Sequence, residues 1–106
     1  MGKFVIAAFR PKPGKEELLR EVLRDHMPTL RKEGLITDRP AYLMQSSDGV
    51  YLEVFEWKSN ATIDKAHKSE TVRKLWARFE EACNYVPTGS VKGIDTLFPN
   101  FDSVIL

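Results

Sequence analysis

Two histidines, His26 and His67, are the side chains of this 106-residue chain whose ordinary titration falls near neutral pH. Each is therefore a candidate general base or hydrogen-bond donor toward a bound molecule. His67 stands beside an apolar stripe at the junction of two helical pieces; it reads either as a pocket acid/base or as a residue closing a helix end. His26 lies on the apolar stripe of an earlier helix, two residues before Pro28, where it could line the same cavity or complete the edge of a core. Two carboxylates, Glu53 and Glu56, interrupt an otherwise apolar strand. Strand side chains alternate between faces, so these two point to opposite sides and only one can face the helices. Buried there, a carboxylate could act as a base; at an edge it would be a paired charge, with Arg10 at the end of the first strand available to either. Tyr51, Trp57, Trp76 and Phe79, with Tyr42, supply the aromatic surface a flat organic molecule needs; the same residues could equally fill a core. The catalytic candidates are thus His67 and Glu53. The substrate-binding candidates are Tyr51, Trp76, Phe79, His26 and Trp57.

Other chemistry finds no support. A metal site needs three or four converging ligands at tight spacing, and no such pattern occurs, so no metal is expected. The single Cys83 excludes an internal disulfide and reads as a small buried apolar group. There is no glycine-rich phosphate loop, no GxSxG elbow and no HExxH, so no dinucleotide, ATP or other cofactor is expected. The net charge is +1, and Lys and Arg are mixed with Glu along the chain, which gives nucleic acid no one-signed stripe. The longest near-apolar run, residues 4–9, is far too short to span a membrane, and the start of the chain lacks a cleavage signal. A cytoplasmic location is expected.

The elements that would position these residues follow from the hydrophobic pattern. Residues 4–9 form a buried strand, and residues 11–14 a turn. Glu16 and Glu17 open a helix with the stripe Leu19, Val22, Leu23, His26 and Leu30. Pro28 should kink it or end its regular part near Met27, and Gly34 should cap it. Leu35 and Ile36 start a strand that Arg39-Pro40 interrupts and residues 41–44 resume. Ser46-Ser47-Asp48-Gly49 makes a hairpin turn into the strand 50–57. Ser59 or Asn60 caps a short helical piece holding Ile63, Ala66 and His67. Ser69 caps a second piece with Val72, Leu75, Trp76, Phe79, Ala82 and Cys83 on its apolar face. Residues 85–99 read as an extended loop and residues 101–106 as the last strand. The order, βαββαβ, is that of a ferredoxin-like α+β domain over residues 1–106, with the helices on one face of an antiparallel sheet.

A sheet with one wet face should alternate apolar and polar residues. The first strand does not: Phe4, Ile6 and Ala8 lie on one side, Val5, Ala7 and Phe9 on the other. The helices can cover one side only, and a large exposed apolar patch is rare on monomers. A homodimer packed sheet to sheet is the simplest cover. A monomer whose C-terminal segment folds over the sheet is the other.

Several short segments carry a family likeness. Pro13-Gly14-Lys15, Glu33-Gly34-Leu35, Phe55-Glu56-Trp57-Lys58-Ser59 and Ala66-His67 with Ser69 resemble the antibiotic biosynthesis monooxygenase-like domains of the dimeric α+β barrel superfamily, over residues 3–83. The resemblance implies a dimer formed by packing sheets, and a ligand pocket between each sheet and its own helices. It also implies an activity drawn from a range that includes oxidation of aromatic or quinol-type substrates without metal or flavin. Members often carry Glu two places before the Trp and His nine places after it. Counted from Trp57 those positions hold Phe55 and Ala66, with Glu56 and His67 one step further on. The haem-degrading branch has an iron-ligating His and an Asn where this chain has Trp76 and Ala7, so haem degradation is not expected. The expected function is that of a cofactor-independent monooxygenase-like protein, with His67 as base and Glu53 or Tyr51 positioning the substrate. Two alternatives stand beside it: a non-catalytic ligand-binding, accessory or stress-related dimeric module, and an isomerase or lyase that needs a base but no oxygen.

Overall fold

The computed structural model describes residues 2–106. The first apolar run forms β1 (Lys3–Pro11), which pairs antiparallel with β3 (Tyr51–Trp57) in a register running from Lys3↔Trp57 to Phe9↔Tyr51. On the far side of β3 lies β2 (Tyr42–Gln45), joined to it by the turn in which Gly49 takes φ +91° and donates to the Ser46 carbonyl at 3.0 Å. Two short strands complete the sheet: β4 (Cys83–Tyr85) beside β1, and β5 (Asp102–Ser103) beside β2. The order is β4-β1-β3-β2-β5, a ferredoxin-like arrangement with one strand added at an edge. Within one chain this sheet is open, with β4 and β5 as its edges.

Three helices cover one face. In α1 (Glu16–Lys32) the buried residues are Leu19, Val22, Leu23, His26, Met27 and Leu30, recurring at three- and four-residue steps. The helix runs through Pro28 for a further turn instead of ending near Met27. Proline removes one backbone donor, but Met27 and Leu30 on either side are buried against the sheet, and such packing outweighs local propensity. The end comes where Gly34 adopts φ +71°. Its N–H reaches the Arg31 carbonyl at 2.9 Å, and the Leu35 N–H reaches that of Leu30 at 3.0 Å, which is a Schellman motif closed by the contact of two buried leucines. A Cβ at Gly34 would meet no atom within 4 Å, so Gly34→Ala carries only the left-handed backbone penalty. Urea denaturation of that variant is expected to show a loss of about 1–2 kcal/mol.

The second helical region divides as its sequence suggests. Ser59 caps α2 (Asn60–Lys68) in a reciprocal box with Thr62, and Ser69 accepts from the Val72 N–H to start α3 (Glu70–Ala82). The division lets α2 present Ala66 while α3 turns Val72, Leu75 and Phe79 into the core. An ion pair of 2.9 Å between Arg78 and Asp25 ties α3 to α1.

Three expectations need correction. Cys83 ends the helix rather than continuing its face, and the three residues from Cys83 are the fourth strand, pairing Tyr85 with Phe9. Residues 101–106 do not supply that strand; only Asp102 and Ser103 pair, at the opposite edge against β2. Ile36 makes an isolated bridge to Trp57, not the start of a strand.

The second face of the sheet is divided in two. Val86, Val91, Ile94 and Phe101 from the C-terminal segment close over Ala8, Val50, Leu52 and Met44. Phe4, Ile6 and Tyr42 on the same face remain open, 63%, 54% and 63% exposed. No helix of the described residues is long and apolar enough to cross a membrane.

Candidate functional site

The pairing of β1 with β3 decides which carboxylate faces the helices. Tyr51, Glu53, Phe55 and Trp57 share the helix side with their partners Phe9, Ala7, Val5 and Lys3. Glu53 is thus the buried acid, 2% exposed. Glu56 lies on the other face, where the Arg39 guanidinium and the Thr37 hydroxyl each approach it at 2.9 Å. Arg10 serves neither acid: it pairs with Asp48 in the hairpin turn at 3.4 Å.

Between the sheet and the helices lies a cavity of about 310 Å³, at the small end of the range for ligand pockets. Val5, Ala7, Phe9, Phe55 and Trp57 form its sheet side. His26 from α1 with Trp76 and Phe79 from α3 form the helix side. The residues with solvent-exposed surface at its mouth are His67, Glu80 and Tyr85. Five of the seven sequence candidates meet at this cavity: His26, Trp57, His67, Trp76 and Phe79.

The polar centre of the site is a buried pair. The Nδ1 of His26 lies 2.6 Å from Oε1 of Glu53, and both residues are almost wholly enclosed. With the Glu53 carboxylate as acceptor, the ring carries its proton on Nδ1. That leaves Nε2 as the nitrogen the ring can offer to the cavity it lines. Phe9, Phe55 and Phe79 surround the imidazole edge-on, with centroids at 6.5, 5.4 and 4.8 Å. Glu53 is not on the cavity wall; it stands behind His26 and acts through it.

The other candidates occupy different stations. His67 is exposed, its ring set against the half-buried Trp76 at 5.0 Å. Tyr51 is fully buried but faces away from the cavity. Its hydroxyl donates to Glu16 at 2.7 Å and accepts from Arg20 at 3.3 Å, and burial raises it above the ordinary phenol value. Arg20 also donates to the Ile105 carbonyl at 2.8 Å, so this cluster anchors the end of the chain. Burial pushes the Cys83 thiol up to about 11, which keeps it protonated and unreactive near neutral pH. Among the described residues, no group of three or more His, Cys, Asp and Glu side chains is placed to hold a metal ion.

Tyr85, Glu80 and Phe55 belong to the site without having been expected there. Its partial burial first, then the neighbouring Cys83 and Glu80, push the Tyr85 phenol up to about 12, so this half-exposed residue remains a neutral hydrogen-bonding group at the mouth. Its position depends on β4, a strand too short to leave a periodic signal. The alternation of β3 did carry a signal for Phe55, which shares a face with Glu53 and Trp57.

No family model matches this chain, and no curated protein does. Solved structures do. It is similar to Rv0793 from Mycobacterium tuberculosis, with 24% identity and a TM-score of 0.66 over 81% of this chain and 89% of that one. It is also similar to a conserved protein from Methanosarcina mazei Go1, with 17% identity and a TM-score of 0.67 over 81% of this chain and 87% of that one. The chain shares their fold. At these identities the likeness speaks for architecture, and the chemistry must be argued from the site itself.

Proposed function

We propose that this protein takes a small aromatic or quinol-type molecule into the cavity between sheet and helices and oxidises it with molecular oxygen, without a cofactor, as several of the monooxygenase-like domains it resembles do. The observation that carries this reading is an aromatic cavity with a buried histidine in its wall and a carboxylate hydrogen-bonded behind that histidine. Flat aromatic walls suit a flat ligand, and a base at the wall can take the phenol's proton and leave an electron-rich phenolate. The anion then passes one electron to oxygen. The radical pair collapses to a hydroperoxide, and loss of water leaves a carbonyl, so one oxygen atom enters the product and the other leaves as water. Both electrons that reduce the second oxygen atom come from the substrate. A ring seated against Trp57, Trp76 and Phe79 would displace water from those walls, which favours collapse over escape of superoxide.

Oxygen uptake with a panel of quinols and naphthols tests the reading, with quenching of Trp57 and Trp76 fluorescence reporting binding. Turnover of at least one member with one oxygen consumed per product is expected. Binding without oxygen uptake would favour the non-catalytic module, for which the solvent exposure of His67 speaks. Turnover under nitrogen would favour an isomerase or lyase.

The working unit in this reading is a homodimer. A second copy would cover Phe4, Ile6 and Tyr42, the part of the outer sheet face that the chain's own C-terminal segment leaves open, and so remove apolar surface from water. Sedimentation at micromolar concentration is expected to give a dimer. Ile6→Glu should give a folded single subunit with an unchanged far-UV spectrum. A wild-type protein that sediments as one chain would refute the dimer.

A further inference from the structure

The cost of burying His26 and Glu53 marks them out. Exchanging a buried ionic pair for leucines of similar volume is commonly neutral or stabilising, and the other buried polar side chain among the described residues, Ser46, lies in the hairpin turn. Packing therefore gives no reason for the pair. Its geometry suits a proton acceptor: Glu53 holds Nδ1, the ring is wedged among three phenyl rings, and Nε2 is left for the cavity. The remaining ionisable groups on the cavity come from other elements: Glu80 from α3, His67 from α2 and Tyr85 from β4. All three stand at the exposed mouth. Apart from indole N–H groups, a ring that enters the cavity meets one polar side chain in the interior, His26.

We infer that His26, oriented by Glu53, is the proton acceptor of this site, and that the cavity takes phenolic aromatic molecules with one hydroxyl inward, binding them as the phenolate. This rests on the small-aromatic reading above and goes further by naming the base, the ligand's orientation and its bound ionisation state. In the step, the phenol O–H bond breaks and an N–H bond forms at Nε2. The bonding pair stays on oxygen, and nothing is oxidised or reduced. The new imidazolium lies between two anions, the phenolate in front and the Glu53 carboxylate behind, which is the arrangement by which a carboxylate supports a histidine base. His26 is then a catalytic residue and Glu53 a positioning residue. His67, which the sequence favoured as base, has no part in the transfer.

Absorption spectroscopy with 4-nitrophenol tests this, because its neutral and ionised forms absorb at different wavelengths. The buffer is set about one unit below the free phenol's own pKa, where about a tenth of it is ionised. The bound ligand is expected to be mostly phenolate, an increase of at least fivefold in the ionised fraction. Glu53→Gln should still bind it, since Glu53 is not on the wall, but in the neutral form. His67→Ala, a change at the cavity mouth, can alter affinity but should leave the bound ligand mostly phenolate. The methyl ether 4-nitroanisole should bind with no new band. Nitrophenol bound in its neutral form by the wild-type protein would overturn the inference and leave the small-aromatic reading standing, as would loss of the phenolate signal in His67→Ala with its retention in Glu53→Gln. Failure to bind either compound would overturn both. Should Glu53→Gln not fold, the wild-type spectrum against nitroanisole still tests ionisation, and loss of the phenolate band in His67→Ala would still overturn the assignment to His26.

Discussion

Glu53→Leu is expected to lose about 3 kcal/mol of unfolding free energy, while the double variant Glu53→Leu, His26→Leu recovers most of that loss. The single change strips a ring that is 5% exposed of its hydrogen-bond partner, and the phenyl groups around it offer no other acceptor. A buried polar group left unpaired carries its whole desolvation penalty. The double change removes both polar groups and leaves two aliphatic chains in a region that is otherwise apolar. A chain of this size has roughly 5–15 kcal/mol in all, so the single variant should show a clear fall in urea midpoint with an unchanged slope. The quantity that decides is the coupling between the sites. Additive losses would mean that the two side chains do not interact as the 2.6 Å contact requires. The experiment also separates cost from purpose: a double variant as stable as the wild type would show that the pair is kept for something other than stability.

Phe79→Ala should cost about 4 kcal/mol, the largest loss expected from one core truncation here. Phe79 is 1% exposed. It stacks on Phe9 at 4.9 Å with ring planes 14° apart, and it meets His26 edge-on. Since it also lines the cavity, its removal joins the void of the lost ring to the space already there, and the surroundings cannot collapse to fill it. Phe79→Leu keeps most of the volume and should lose under about 1.5 kcal/mol. Trp76→Ala is the informative contrast. Trp76 is half-buried, so its removal should cost less than half as much while weakening the binding of aromatic ligands more. Urea denaturation and ligand titration of the three variants together separate wall from core. A Phe79→Ala loss below about 1 kcal/mol would contradict the packing described.

Much of the framework could be read locally. Gly34, the Asp48-Gly49 turn, Ser59 and Ser69 each act through the conformation or hydrogen bonds of a few neighbouring residues, and each ends or starts an element as expected. The apolar stripe of α1 and the two-sided character of β1 likewise follow from spacing alone. The local reading went astray where distant packing overrules local preference. Of the two outcomes expected at Pro28, an end to the helix does not occur, because the flanking Met27 and Leu30 are buried against the sheet. The fourth strand begins without any turn residue at the end of α3, and it exists because β1 offers Phe9 to Pro11 as a partner.

The site divides in the same way. Sequence alone determined that Glu53 and Glu56 face opposite sides, that His26 lies on the buried stripe of its helix, and that aromatic residues recur along α3, because backbone geometry sets these periods whatever lies around them. Only the tertiary structure decided that Glu53 is the inward carboxylate, that His26 rather than His67 meets it, and that Tyr51 turns away toward Glu16 and Arg20. Those outcomes depend on which face of the sheet the helices cover and on the register of β1 against β3. Both are set by contacts between segments far apart in the chain, which no local pattern records.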